Sequence, residues 1–258
     1  MIVIRVESGK EPFDDATLRV IQRIATETVQ EVRGLLPSLS GDLVLAVKTS
    51  QRVIPETGEV GHSISPGRVQ WSADPSRPGG IAGLAERELR FTLFHELHHQ
   101  ARRWVMRGGP LRISFMEGPV CEGLATAFER DAGGRRPPWA QYPPDVEAWV
   151  HELLALPRKA SYDEWMFLHP DGRRWIGYRA GTHIADRAIK ASGLSAAQLV
   201  NVPTSEILRQ AGYGAPTPGD RLLRWLQGRW REKLVRSLRR TQQGQFRFRS
   251  RAPELRWR

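Results

Sequence analysis

His95-Glu96-Leu97-His98-His99 places two imidazoles four residues apart, with a carboxylate beside the first. On a helix, that spacing projects His95 and His99 from one face, one turn apart, where both can bind one zinc ion. Glu96 is then placed to take a proton from a zinc-activated water. The helical phase agrees. At about 100° per residue, Leu89, Leu93, Leu97, Ala101 and Trp104 form one stripe and the two histidines lie opposite it. One side of the helix can enter a core while the other faces a cleft. His98 points roughly 80° away from the mean ligand direction and is not expected to bind the ion.

A catalytic zinc needs a third protein ligand and keeps its fourth position open. Two glutamates follow at suitable distance. Glu122 follows His99 with 22 residues intervening, inside a short helical stretch opened by Pro119 and closed by Gly133-Gly134, while Glu117 precedes Gly-Pro on less rigid chain. The helical position favours Glu122, with Glu117 as the alternative. Thr126 and Glu129, one and two turns on, share its face, and either can accept a hydrogen bond from the outer nitrogen of a ligand histidine. Cys121 points about 100° from that face and reads as a buried thiol.

The elements that must position these groups form a mixed pattern. Ile2 to Val6 reads as a first strand. A helix follows from Asp14 or Asp15, with apolar residues recurring through Leu18, Ile21, Ile24, Val32 and Leu35 until Gly34 and Pro37 end it. Leu43 to Val47 is a buried strand, residues 50–67 a loop rich in Gly, Pro and Ser, and Arg68 to Ser72 a further strand. That last strand is expected at the sheet edge bordering the cleft, where an extended peptide could be added. The metal-bearing helix runs from about Leu84 to Val105 and stops at Gly108-Gly109-Pro110. Residues 134–145 form a linker or a flap. Helical patterns resume at Val146 to Leu156, at about 181–192, and after Ser195-x-x-Gln198, a capping-box signature. The fold class expected is α+β: a small mixed sheet packed on the active-site helix, then a mostly helical part, with residues 1–220 as one domain.

The chain has 258 residues and one cysteine, which excludes an internal disulfide and asks for no oxidising compartment. No apolar run approaches the ~20 residues of a membrane span, and a cytoplasmic protein is the expectation. The net charge of +11 is carried by residues 221–258, which hold 13 Lys and Arg against 2 Glu. In this extension Leu222, Leu226, Trp230, Leu234 and Leu238 fall on a helical stripe, and Arg229, Arg231, Lys233, Arg236, Arg239 and Arg240 are candidates to bind nucleic-acid phosphates or another anionic surface. An alternative function is therefore a nucleic-acid-associated regulator whose zinc site acts on a bound partner or is idle. A structural zinc protein without turnover is a third.

His95-Glu96-Leu97-His98-His99, then Glu122-Gly123-Leu124-Ala125, then Trp175-Ile176-Gly177-Tyr178-Arg179-Ala180-Gly181 jointly resemble a family of bacterial predicted zinc-dependent proteases, largely a domain of unknown function. The layout is that of gluzincins, in which a glutamate ligand follows His-Glu-x-x-His. The resemblance spans roughly residues 68–210 and implies a zincin-like fold, one catalytic zinc held by His95, His99 and Glu122, and Glu96 as general base in peptide-bond hydrolysis. Gluzincins generally place a tyrosine or histidine to stabilise the tetrahedral oxyanion. Tyr178 and His183, in the segment beginning a helix, are the candidates here. His62, His151 and His169 have no partner pattern and are expected at the surface.

Overall fold

The computed structural model describes residues 4–8, 13–103, 115–157 and 159–214. Among them a four-stranded sheet has the order β1-β2-β4-β3. β1 (Ile4–Ser8) leads into α1 (Asp15–Leu35), which returns the chain to β2 (Leu43–Thr49), parallel to β1. Asp14 caps α1 by accepting from the Thr17 backbone N–H at 2.8 Å. β3 (Glu59–Ser65) and β4 (Arg68–Ala73) form a hairpin, and β4 pairs parallel with β2. The Cβ-free backbone of Gly67, at φ 75°, makes the turn between them.

This arrangement corrects two expectations. Residues 50–67 are not all loop, since they contain β3, and β3 rather than the strand at 68–72 is the edge that borders the cleft. The physical reason lies in its alternation. Glu59, Gly61 and Ser63 face the helix that carries His95 and His99: Thr92 Oγ1 donates to Glu59 Oε2 at 2.7 Å, Gly61 lies against Glu96, and Ser63 Oγ donates to the Glu96 carbonyl at 3.0 Å. A strand whose inward residues are polar lacks the apolar alternation by which strands are recognised.

The helix that carries His95 and His99 starts earlier than Leu84. α2 (Gly80–Leu84) runs through a π-helical turn, Ala85–Leu89, into α3 (Arg90–Ala101). Leu89, Leu93, Leu97 and Ala101 are buried, as the stripe requires, and they join Trp71, Leu45 and Val29 in one hydrophobic core. Each leucine so buried contributes about 1.5–3 kcal/mol. Trp104 and the Gly108-Gly109-Pro110 stop lie outside the described residues. The Gln100 side chain fastens this helix to the β3–β4 hairpin: its Oε1 accepts from the Gly67 N–H, and its Nε2 donates to the carbonyls of Ser65 and Arg68.

α4 (Glu117–Asp131) carries the downstream glutamate. Residues 134–145 are irregular apart from a single 3-10 turn, Pro138–Ala140, whose Trp139 and Ala140 are buried. α5 (Val146–Leu154), α6 (Tyr162–Met166) and α7 (Ile176–Ser192) follow. α7 begins at Ile176, five residues before the expected 181, and its N-cap Trp175 takes the left-handed conformation (φ 60°, ψ 34°). The capping box forms, with Gln198 Oε1 accepting from the Ser195 N–H at 2.9 Å, but only a turn follows it. The helix beyond is α8 (Thr204–Gln210), which the sequence pattern missed. The basic extension, residues 221–258, with Arg229, Arg231, Lys233, Arg236, Arg239 and Arg240, lies outside the described residues, as does any partner call resting on it. Among the described residues no helix is long and apolar enough to cross a membrane.

Candidate metal centre

α3 and α4 pack so that three buried donors converge. His95 Nε2 lies 3.0 Å from Glu122 Oε2, His99 Nε2 lies 3.3 Å from the same oxygen, and the two Nε2 atoms are 3.1 Å apart. Zinc bonds of about 2.0–2.1 Å at tetrahedral angles separate neighbouring ligand atoms by about 3.3 Å. The observed triangle therefore has the dimensions of a zinc ligand set within a few tenths of an ångström. Its chemistry fits too, because two imidazole nitrogens and a carboxylate offer borderline donors suited to zinc, and among the described residues this is the His/Cys/Asp/Glu group that could hold an ion. Glu117, the alternative third ligand, is turned toward Cys121, whose Sγ is 3.7 Å from its Oε1.

The electrostatics follow from burial and proximity. Burial of Glu122 works against its charge, but the His99 charge and hydrogen bonds from His95 and His99 hold its carboxyl well below the usual range. Burial likewise opposes protonation of His95, yet the Glu122 and Glu129 carboxylates hold it well above an ordinary histidine. His95 Nδ1 donates to Glu129 Oε2 at 3.3 Å, which fixes the ring with Nε2 toward the triangle. Thr126, the other expected acceptor, is fully buried and its Oγ1 has no hydrogen-bond partner among the described residues. His98 is buried against Phe128 with Nε2 at 3.3 Å from the Ala196 carbonyl, outside the ligand set.

A cleft of about 340 Å³ opens over the triangle and is lined by Glu96, Tyr178 and β3. Tyr178 is brought there by two glycines. A Cβ on Gly123 would sit 2.1 Å from the Gly181 carbonyl carbon, and one on Gly181 would sit 1.9 Å from the Pro119 carbonyl oxygen. α4 and α7 thus cross backbone to backbone, so that α7 delivers Tyr178 beside Glu122. Burial, then the charge and hydrogen bond of Glu122, push the phenol well above its usual value and keep its proton in place.

His183 does not join this group. Five residues beyond Tyr178 on the same helix, it is turned about 140° away. Its Nε2 lies 3.1 Å from Glu147 Oε2 and 3.0 Å from the Tyr213 hydroxyl. Other residues line the cleft unannounced by any motif: Glu59, Gly61, His62, Trp139 and Phe167. His62, expected at the surface, is half-buried and lines the cleft, a placement that only the position of β3 shows. Burial raises the Glu59 carboxyl to about 7, against the lowering effect of its hydrogen bonds from Thr92 and Trp71.

Comparison with curated proteins and with solved structures returns no match. Residues 21–209 match the profile of a family described as "Predicted Zn-dependent protease (DUF2268)", and this span contains every residue of the triangle as well as Glu96 and Tyr178. On a match over most of its length, the chain belongs to the predicted Zn-dependent protease family.

Proposed function

We propose that the protein is a zinc-dependent metallopeptidase of the gluzincin type, a hydrolase acting on peptide bonds in the cytoplasm. The observation that carries the reading is the donor triangle of His95, His99 and Glu122 at the floor of an open cleft, with Glu96 and Tyr178 in its walls. One zinc ion held by the three would supply Lewis acidity, acidifying water and polarising the scissile carbonyl.

The chain's own groups divide the remaining work. Glu96 takes the proton of the attacking water and gives it to the leaving amine. Tyr178, whose phenol stays protonated, donates a hydrogen bond to the oxygen of the tetrahedral carbon. Glu129 holds the His95 ring in orientation, and β3, the sheet edge lining the cleft, offers a strand along which an extended peptide can lie. His183, engaged with Glu147 and Tyr213, takes no part.

Proteome-wide identification of new N-termini tests the assignment. Zinc-replete wild type is expected to generate cleavages that Glu96→Gln does not. An equal set from both proteins, or none from wild type, refutes proteolysis.

A further inference from the structure

One wall of the cleft is aromatic in a way the hydrolytic chemistry does not need. Trp139, Tyr162, Phe167 and Trp175 line it together with Tyr178. Ring centroids of Trp175 stand 5.5 Å from Trp139, 5.9 Å from Phe167 and 5.4 Å from Tyr178, so the wall is continuous up to the residue that touches Glu122.

Three separate features mark this wall as a binding surface rather than ordinary core. Phe167 leaves 38% of its area exposed beside the cleft, although apolar packing is available on the same wall. Trp175 is held at φ 60°, a conformation that glycine adopts freely and a tryptophan does not. Its backbone is fixed there by the Trp175 N–H donating to the Phe167 carbonyl at 2.9 Å and by the Trp175 carbonyl accepting from Arg179 at 2.8 Å. The strain is kept with an indole in place, so the side chain itself is what the position requires. Finally, Trp139, whose indole N–H is buried with no acceptor among the described residues, lines the cleft on the same wall.

We infer that this wall is a specificity subsite that seats a bulky apolar side chain, such as Phe, Leu or Met, of the residue flanking the scissile bond. The inference rests on the peptidase reading for its placement next to the reacting carbonyl. Val53, Ile54 and Pro55 line the same cleft and extend its apolar surface. The Arg174–Glu56 ion pair at 2.6 Å ties that segment to the neighbour of Trp175, and the Arg174 guanidinium lies over the Trp175 ring at 5.4 Å. An apolar side chain seated against these residues loses contact with water, which is where burial rewards size and where a small or charged side chain gains nothing.

The test compares wild type, Trp175→Gly and Phe167→Ala on a peptide library varied on both sides of the cleaved bond. Trp175→Gly relieves the backbone while removing the indole, and Phe167→Ala truncates a half-exposed ring, so each serves if the other folds poorly. Wild type is expected to enrich large apolar residues at one flanking position. The kcat/KM preference for Phe over Ala there should fall roughly ten- to hundred-fold in Trp175→Gly, with zinc affinity unchanged. No enrichment, or the same preference in all three proteins, overturns the subsite. A second arm measures binding of dye-labelled Phe- and Ala-containing peptides to Glu96→Gln and to the same protein carrying Trp175→Gly. If wild type cleaves nothing, the peptidase reading fails, and this binding arm still decides the subsite: equal binding of the two peptides to Glu96→Gln overturns it.

Discussion

Replacing Gly181 with alanine sets two effects of opposite sign against each other. In an open helical position the change stabilises by about 1 kcal/mol, through the smaller backbone entropy loss of alanine. At Gly181 the new methyl would stand 1.9 Å from the Pro119 carbonyl oxygen and 2.7 Å from its carbon, both backbone atoms that no rotamer change can move. Ordinary contact begins near 3.4 Å, so α7 must withdraw from α4 by about 1.5 Å or the helices must distort. Such overpacking costs about 1–3 kcal/mol, which outweighs the propensity gain. Tyr178 lies one turn before Gly181 on α7, while Glu122 and His95 stay with α4 and α3. The withdrawal therefore separates the phenol from the ligand set, and a displacement of about 1 Å costs about a hundredfold in rate. Thermal melts, zinc affinity by chelator competition, and kcat on a cleaved peptide report the three consequences separately. Expected are a lowered melting temperature, near-normal zinc affinity and a kcat reduced about a hundredfold. Gly34→Ala is the control, since a Cβ there meets nothing within 4 Å and the variant should be at least as stable as wild type. A Gly181→Ala protein as stable and as active as wild type would refute the account of the helix crossing.

Other outcomes follow from the same geometry. Tyr178→Phe should lower kcat by about 10²–10³-fold with zinc affinity unchanged, and a variant of full activity would remove the phenol from the mechanism. Glu129→Gln weakens the hydrogen bond that orients His95, so chelator competition should show zinc affinity reduced about 10–100-fold, while unchanged affinity would show that the contact does not act on the metal site. Glu59 titrates at about 7 in the folded protein against an ordinary value of 4.5, mainly because it is buried. Between those values the folded state binds the extra proton, so stability is fullest below pH 4.5 and falls as pH rises through 7, by up to roughly 3 kcal/mol. Chemical denaturation at pH 5 and pH 8 should show that difference in wild type, and Glu59→Gln should reduce it; an identical pH dependence in the two proteins contradicts the assignment to Glu59.

The candidate metal ligands were legible because their geometry is local. His95 and His99 obey helical spacing within one turn, and Glu122 sits inside a helix whose ends Pro119 and Gly133 announce. The α+β class was legible for the same reason, with apolar periods marking α1, β2 and α3. What escaped is non-local. β3 turns Glu59, Gly61 and Ser63 toward α3, so its inward face is polar and its strand pattern vanishes. His183 looked equivalent to Tyr178 until α7 proved to begin at Ile176, which fixes their angular difference. Trp175 shows its left-handed backbone only in the fold, because no pattern of residue types predicts a tryptophan where glycine is preferred.

The bonds from Gln100 to the hairpin and from Ser63 of the hairpin to the Glu96 carbonyl have a mechanical consequence. They clamp the edge strand of the cleft to the same rod that carries His95, His99 and Glu96. Edge strand and donor triangle therefore travel together, so a ligand lying along β3 would keep its position relative to the triangle. The Glu56–Arg174 clasp ties the loop before β3 to the segment that leads into α7.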